Sequence, residues 1–284
     1  MRYLRRSPRG SLPSLFPARW RLREPQRIAD TCTSEVWRVR RADGSTAVVK
    51  SLKPAGLEEL RGAHLLRWRR GAGLVRLYAT NGRAQLLEYA GDDALSRVID
   101  VAGDDAATQI AAEVLQRLSA PSRRAAPDGL QPLSAYFSAL FAHARGRPAG
   151  DPYREAARIA ERLLRSARDE RPLHGDLHHD NIFRGTRGWL AIDPKGLDGE
   201  PAFDAANLLY NPCERDDICL DPQHLQRRAQ TYAYALQLEL PQILAYAYAY
   251  GCLSAAWHAQ DGNAAAEMRE LAIAAKVMAL AREA

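Results

Sequence analysis

The pattern of apolar and polar positions divides the chain into two parts of different texture. In the first part, short β-branched runs are separated by turn residues, including Asp43-Gly44 and Asn81-Gly82, which favour hairpins. Strands are predicted at 36–40, 46–52, 74–79 and 83–89. Apolar residues recur at near-helical spacing over 56–70, between the two strand pairs. The first 90 residues are therefore predicted to form an antiparallel sheet with one helix.

The second part is rich in Ala, Leu and Arg and is predicted to be mainly helical. Helices are predicted near 105–119, 132–144, 151–169, 222–238, 241–258 and 263–282. One interruption is a pair of short apolar runs, 182–183 and 189–192, around the turn 185–188. This interruption predicts a small hairpin embedded among the helices.

Composition and charge exclude several classes of protein. With 284 residues, 46% hydrophobic and 26% charged, the chain is neither disordered nor fibrous. Four of the six surplus positive charges are arginines within the first ten residues. Residues 1–15 are predicted to be a flexible extension. Because most of the positive charge lies in this extension, the rest of the chain is not expected to bind nucleic acid. The longest uncharged apolar run, 243–257, is 15 residues, too short for a membrane span. Four cysteines without a C-x-x-C pair favour a reducing cytoplasm.

Residues 174–181, His-Gly-Asp-Leu-His-His-Asp-Asn, concentrate polar chemistry, and Asp193 follows twelve residues after Asn181. The histidines alone could pack a turn, and a His-ligated hydrolase would need a His-x-His pattern that is absent. Phosphoryl transfer fits the spacing better, since it uses one carboxylate to deprotonate a hydroxyl and oxygen ligands to hold Mg²⁺. Asp176 is the predicted base, with Asn181 and Asp193 as magnesium ligands brought together by the hairpin.

The same chemistry needs a cation for nucleotide phosphates, and Lys50 is the candidate. It follows the apolar run 47–49 within a predicted strand, and lysine is rare among the 40 basic residues of this chain. An acidic residue on the next helix would orient it. Glu59 is preferred over Glu58, which is otherwise an exposed position on the helix.

Five segments in order resemble the aminoglycoside phosphotransferase family: 48–50, 59–62, 86–90, 174–181 and 192–194. Further segments near 16–18, 188–194, 215–222 and 247–257 are most similar to the streptomycin 6-phosphotransferases, which are grouped with hydroxyurea kinases. The resemblance extends from about residue 16 to near the C-terminus.

This resemblance implies an α+β, two-lobed, protein-kinase-like fold. Residues 16–90 would be the nucleotide-binding lobe, with a hinge near 86–91, and residues 91–284 the mainly helical lobe that holds the catalytic loop 174–181 and the acceptor site. The backbone of Glu88, Tyr89 and Ala90 would meet the adenine of ATP, or the base of GTP, and Mg²⁺ would be required. A monomer is expected.

The sequence differs from protein kinases at several motifs. The turn 30–34, where a kinase has its glycine-rich loop, contains no glycine, so Thr33 and Ser34 are left to contact phosphate through backbone or hydroxyl groups, unless this is an ordinary polar turn. The arginine before the catalytic aspartate and the Ala-Pro-Glu segment are also absent. A small-molecule acceptor is therefore favoured over a protein.

The acceptor site is predicted from charge. Between 198 and 221 there are seven acidic residues and one arginine. Guanidinium groups, such as those of streptomycin, pair well with carboxylates. Asp216 and Asp217, with Glu214, are the first candidates to contact such a cation; the alternative is a solvated loop or helix caps.

Two further sets of residues have predicted roles, one near the C-terminus and one around the polar loop. Tyr246, Tyr250 and Trp257 share one helical stripe, which is predicted to face the core. Trp257 and Asp261 are also candidate contacts for the acceptor. Within the loop, His174 and His178 are expected to brace the backbone by hydrogen bonding, and His179 is expected to be exposed. Asp204, outside the loop, is also expected to brace it.

The predicted function is ATP-dependent phosphorylation of an aminoglycoside, streptomycin at its 6-hydroxyl, giving resistance. A same-fold kinase of hydroxyurea, a sugar amine or an amino alcohol is the first alternative. A catalytically silent kinase-like binding module is the second, although Lys50, Asp176, Asn181 and Asp193 are all present.

Overall fold

The computed structural model describes residues 16–283, so the extension predicted at 1–15 lies outside the described residues. The chain divides into two compact units. Within the described residues, the first comprises 16–60 together with Arg76–Tyr89, and the second comprises Arg61–Val75 together with 90–283. Most of the helix predicted between the two strand pairs therefore belongs to the helical unit.

The first unit is built on a five-stranded antiparallel sheet with the order β1-β2-β3-β5-β4. Its strands are β1 (Arg23–Asp30), β2 (Ser34–Arg40), β3 (Thr46–Leu52), β4 (Leu77–Asn81) and β5 (Ala84–Glu88). Ala47 and Val49 lie on one face with Phe16, Val39 and Leu86 in a buried apolar cluster. Because side chains alternate along a strand, Lys50 is directed to the opposite face.

Strand β1 was not predicted, because its sequence gives no apolar alternation. Seven of its eight residues are exposed, which is typical of an edge strand. Short 3₁₀ helices occur at Ala18–Trp20 and at Pro54–Glu59, and the second leads directly into α1 (Leu60–Arg69).

The second unit is mainly helical. Its helices after α1 are α2 (Ser96–Ala102), α3 (Asp104–Ser119), α4 (Leu133–Tyr136), α5 (Ser138–Ala144), α6 (Pro152–Ser166), α7 (Ala202–Leu208), α8 (Asp216–Cys219), α9 (Pro222–Leu236), α10 (Leu240–Gln260) and α11 (Ala264–Glu283). Helix α10 packs against α5, α6, α7, α9 and α11, which explains why its apolar residues extend almost all the way round. None of the helices within residues 16–283 is long and apolar enough to cross a membrane.

Two small sheets position the polar loop of the second unit. A three-stranded sheet has the order β6-β10-β7, and a hairpin is formed by β8 and β9. Their strands are β6 (Gln131–Pro132), β7 (Arg171–Leu173), β8 (Ile182–Gly185), β9 (Gly188–Ala191) and β10 (Leu197–Gly199). The hairpin confirms the sequence prediction. The three-stranded sheet was missed because its strands are two or three residues long.

Candidate active site

The loop 174–181 begins directly after β7 and is anchored by Asp204 of α7. The two carboxylate oxygens of Asp204 accept the backbone N–H groups of His174 at 2.9 Å and Gly175 at 2.7 Å. Burial raises the pKa of Asp204 to about 6, while the two N–H groups and the nearby Arg69 oppose this rise. Asp204 therefore braces the loop, as expected from the sequence.

His174 links the loop to the end of β9. Its Nδ1 accepts the N–H of Asp176 at 3.2 Å, so Nε2 carries the proton that is donated to the carbonyl of Ile192 at 2.8 Å. Burial lowers the pKa of His174 to about 4 and keeps the ring neutral. The histidine thus holds Asp176 and the residue before Asp193 in one arrangement.

Asp176 is the carboxylate of this loop that remains about one third exposed. Its Oδ1 accepts from the amide nitrogen of Asn207 at 3.3 Å, and its Oδ2 lies 3.8 Å from the ammonium of Lys195. Neither Asn207 nor Lys195 was predicted as a site residue. Lys195 stands out in the sequence only as one of four lysines, and Asn207 gives no sequence signal beyond lying three residues after Asp204.

Asn181 and Asp193 are adjacent through the backbone, since the N–H of Ile192 donates to the carbonyl of Asn181 at 2.9 Å. The amide nitrogen of Asn181 donates to the carbonyl of Asp176 at 2.9 Å, which leaves Oδ1 as the side-chain acceptor. Asp193 follows β9 with a φ of 55°. An amide oxygen and a carboxylate are hard donors that suit Mg²⁺ completed by phosphate oxygens. Within residues 16–283, no group of three or more His, Cys, Asp or Glu is arranged to hold a metal by itself.

In the first unit, Lys50 pairs with the acid preferred from the sequence. Its Nζ lies 2.8 Å from Oε2 of Glu59, and both side chains are about nine-tenths buried. Glu59 ends the 3₁₀ helix before α1 instead of lying on α1 itself, while Glu58 is exposed. The pairing is thus a feature of the structure, and its role toward a nucleotide remains a prediction.

Backbone N–H groups of the turn 30–34 donate hydrogen bonds to a side chain within the same turn. The N–H groups of Thr33 and Ser34 both donate to Oγ1 of Thr31, at 3.3 and 3.0 Å. Ser34 is only 3% exposed, and its hydroxyl lies 3.4 Å from the same oxygen. These hydrogen bonds are those of an ordinary polar turn, the alternative left open by the sequence, and the phosphate contact expected of Thr33 and Ser34 stays a prediction.

The segment expected to be the hinge coincides with the boundary between the units, after Tyr89. The carboxylate of Glu88 accepts the N–H of Arg76 at 2.9 Å, and the N–H of Glu88 donates to the carbonyl of Arg76 at 2.8 Å. Ala90 is buried. The adenine contacts predicted for Glu88, Tyr89 and Ala90 stay predictions.

The predicted acceptor acids lie on or next to the short helix α8, and two of them have arginine partners. Asp216 pairs with Arg269 at 2.7 Å, and Asp217 accepts two hydrogen bonds from Arg215 at 2.9 and 2.8 Å. The neighbouring Glu214 is exposed. The two paired carboxylates would have to exchange an arginine for a cationic acceptor.

Other acids of the 198–221 segment have structural partners. Glu200 accepts the hydroxyl of Tyr246 at 3.0 Å and the side-chain amide of Gln242 at 3.1 Å, and Asp221 caps α9 through the N–H groups of Gln223 and His224. The local charge of the segment is therefore used largely to hold the fold, as the helix-cap alternative allowed.

The aromatic stripe of α10 is mostly core. Tyr246 and Tyr250 are buried, whereas Trp257 is half-buried and stacks edge-on against Tyr136 with centroids 5.2 Å apart. Asp261 is exposed at the end of the helix. The acceptor contacts predicted for Trp257 and Asp261 remain predictions.

His179 corrects the sequence prediction, which placed it at the surface. It is 0% exposed, and burial, with the cation of the fully buried Arg228, lowers its pKa well below the ordinary value. Helix α9 supplies Arg228 from 49 residues further along the chain, so the loop sequence could not reveal it.

Solved structures with the same architecture define the fold. A choline kinase from Streptococcus pneumoniae superimposes with a TM-score of 0.62 at 15% identity, covering 89% of this chain and 94% of that chain. A thermostable mutant of the aminoglycoside phosphotransferase APH(4)-Ia, solved in a ternary complex with ADP and hygromycin B, superimposes with a TM-score of 0.61 at 13% identity, covering 91% of this chain and 96% of that chain. The fold is therefore the protein-kinase-like fold of these small-molecule kinases.

The family follows from sequence. The family model described as aminoglycoside/hydroxyurea antibiotic resistance kinase matches residues 19–262. The chain belongs to this kinase family.

Characterised relatives cover nearly the whole chain. Streptomycin 3″-kinase of Klebsiella pneumoniae is 36% identical over 92% of this chain and 97% of that protein. Hydroxyurea phosphotransferase of Kitasatospora aureofaciens is 32% identical over 91% and 76%. Streptomycin 6-kinase of Streptomyces griseus is 30% identical over 93% and 89%.

Proposed function

We propose that the protein transfers the γ-phosphoryl group of ATP to a hydroxyl of streptomycin. The observation that carries this proposal is the arrangement of Asp176, a partly exposed carboxylate on a loop whose backbone N–H groups donate to Asp204 and His174. A fixed carboxylate of this kind can accept the proton of an attacking hydroxyl while positioning it for transfer.

In the proposed reaction, the acceptor hydroxyl gives its proton to Asp176 as its oxygen forms a bond to the γ-phosphorus. The bond between that phosphorus and the β,γ-bridging oxygen breaks, and ADP leaves with the electron pair. Lys195, whose ammonium lies 3.8 Å from Oδ2 of Asp176, supplies positive charge beside the developing phosphate charge.

Two sets of residues are proposed to contact the nucleotide: Asn181 and Asp193 through a metal ion, and Lys50 directly. Asn181 and Asp193 would hold a magnesium ion, which when bound neutralises charge on the nucleotide phosphates. Lys50 binds phosphate oxygens as a compact cation, and Glu59 at 2.8 Å fixes the direction of its ammonium group. The same residues serve with GTP if the base contacts at 88–90 permit it.

The acceptor position is proposed from the relatives. The sequence resemblance favoured the 6-hydroxyl, but the 3″-kinase is 36% identical over 97% of its length, compared with 30% over 89% for the 6-kinase from Streptomyces griseus. We therefore propose the 3″-hydroxyl first and the 6-hydroxyl second. The relative that acts on hydroxyurea, at 32% identity, keeps hydroxyurea as an alternative acceptor.

The test is a panel assay with purified protein, Mg·ATP and streptomycin, hygromycin B, hydroxyurea, choline or no acceptor. ADP release that depends on streptomycin, with phosphorus-coupled NMR signals at the 3″ carbon, supports the proposal. Signals at the 6 carbon would move the assignment to the other streptomycin hydroxyl. Acceptor-dependent ADP release with hydroxyurea but not streptomycin would replace the proposed substrate.

A further inference from the structure

Behind Asp176 lies a chain of buried side-chain hydrogen bonds that the reaction described above does not use. Asn207 of α7 donates from Nδ2 to Oδ1 of Asp176 at 3.3 Å. The side-chain oxygen of Asn207 accepts the hydroxyl of Tyr250 at 2.7 Å and the amide nitrogen of Asn211 at 2.9 Å. Asn207 is 2% exposed, Tyr250 8% and Asn211 9%. These groups therefore have little competing access to water.

The donor and acceptor pattern fixes the orientation of the Asn207 amide. The side-chain nitrogen of Asn211 also donates to the backbone carbonyl of Asn207 at 3.0 Å, which identifies it as the NH₂ group of that amide. Because an NH₂ group can only donate, it requires the side-chain oxygen of Asn207 and not the nitrogen. Burial raises the pKa of Tyr250 well above its ordinary value, so its hydroxyl keeps the proton that it donates. With two donors on its oxygen, Asn207 must turn its NH₂ group toward Asp176.

Tyr250 is itself held in place by aromatic packing. Its ring meets Phe203 edge-on with centroids 5.7 Å apart and Tyr210 with centroids 5.4 Å apart. The hydroxyl therefore approaches Asn207 from a fixed direction.

We propose that Asn207 is a positioning residue for phosphoryl transfer and that Tyr250 sets the orientation of its amide. The inference rests on the proposed function, because it gives the orientation of Asp176 a catalytic consequence. Occupying Oδ1 with the Asn207 amide prevents rotation of the carboxylate and leaves Oδ2 for the acceptor hydroxyl. Loss of this hydrogen bond lets the carboxylate rotate, which affects the turnover number and not the binding of either substrate.

The test compares Asn207→Ala and Tyr250→Phe with Tyr248→Phe. Tyr248 is a matched control because it lies on the same helix and its hydroxyl donates to the carbonyl of Pro152 at 3.3 Å, on a different contact. We expect kcat to fall ~10–100-fold for Asn207→Ala. Tyr250→Phe keeps the ring and the donor from Asn211, so its kcat falls about threefold to tenfold. The KM values for ATP and streptomycin stay within about twofold in both variants, and the control keeps its wild-type kcat.

A double mutant separates positioning from a general structural defect. In an Asp176→Asn background, whose residual turnover is measured with radiolabelled ATP, adding Asn207→Ala should cause no further loss, because the oriented carboxylate is already gone. Additive losses, or a rise in both KM values with unchanged kcat, would overturn the inference. If Asn207→Ala does not fold, Tyr250→Phe decides the question: wild-type kcat in that variant overturns the role of Tyr250 and its hydrogen bond. Wild-type protein that fails to phosphorylate streptomycin would instead refute the proposed function.

Discussion

The anchoring of the loop by Asp204 makes the replacement Asp204→Asn informative. Both carboxylate oxygens accept backbone N–H groups, at 2.9 and 2.7 Å, whereas an asparagine offers one oxygen and turns an NH₂ group toward the second N–H. A buried donor left without an acceptor costs about 1–3 kcal/mol. Because Gly175, which makes one of these bonds, precedes Asp176, we expect kcat to fall ~10–100-fold as the loop shifts.

The pH dependence adds a signed prediction for Asp204. Its folded-state pKa of about 6 lies above the ordinary value of 3.8, so the folded protein binds this proton more tightly than the unfolded chain. The stability that Asp204 contributes is therefore greatest at low pH and is lost as the pH rises through about 6. Between pH 7 and pH 5, the wild type should gain about 1 kcal/mol relative to Asp204→Asn.

The assay is urea denaturation of wild type, Asp204→Asn and the control Asp128→Asn at both pH values, together with kcat at neutral pH. Asp128 is exposed, so its replacement should change neither quantity. If Asp204→Asn has the kcat of wild type and the same free energy of unfolding at both pH values, the anchoring described for Asp204 is wrong.

Three further predictions follow from the same contacts. His174 has a folded-state pKa of about 4, below its ordinary 6.5, so its contribution to stability is lost as the pH falls through this range; the wild type should lose about 2 kcal/mol relative to His174→Asn between pH 7 and pH 5 in urea denaturation. Lys195→Met should lower kcat ~10–100-fold, measured by streptomycin-dependent ADP release, because it removes the cation beside Asp176. Glu59→Gln should raise the KM for ATP about tenfold by releasing Lys50, whereas Glu58→Gln should leave it unchanged, as measured by steady-state kinetics.

Each of these predictions has a contradicting result. Equal pH dependence of unfolding in wild type and His174→Asn would mean that the histidine is not held neutral. An undiminished kcat in Lys195→Met would remove Lys195 from the reaction, with Lys276→Met as the matched charge control. Equal KM values in the Glu59 and Glu58 variants would show that the 2.8 Å ion pair has no role in nucleotide binding.

Much of the fold was predictable because many elements have strong local patterns. The hairpin of β2 and β3 follows from β-branched runs around Asp43-Gly44, where Gly44 adopts a φ of 81° that glycine tolerates. Helix α11 appears almost at its predicted bounds, 263–282, as Ala264–Glu283. The helix predicted over 132–144 is instead two short helices, α4 and α5, with Phe137 between them.

Elements without a periodic pattern could not be predicted. Helix α7 is buried at every position, so its sequence carries no apolar stripe, and both Asp204 and Asn207 lie on it. The sequence motif thus located Asp176, Asn181 and Asp193 but gave no indication of how Asn207 contacts the carboxylate.

Ion pairing across long stretches of sequence limited the prediction of the acceptor site. Asp216 is paired with Arg269, which lies 53 residues later on α11. A count of acidic residues treats such a carboxylate as available for a ligand, although the folded chain has already neutralised it. The charge of the segment alone therefore could not identify the acceptor contacts.

The role of Asp176 as the base in streptomycin phosphorylation is tested most directly by the initial rate at which phosphorylated streptomycin forms from Mg·ATP. This rate is followed by mass spectrometry in wild type, Asp176→Asn and Asp180→Asn. Asp180 is a matched control because it lies in the same loop and accepts the hydroxyl of Ser96. We predict product carrying one phosphoryl group in the wild type and in Asp180→Asn, and a rate ~100–1000-fold lower in Asp176→Asn. Streptomycin left unmodified by the wild type would contradict the proposed substrate, and an Asp176→Asn rate equal to that of the wild type would contradict the role of Asp176 as the base.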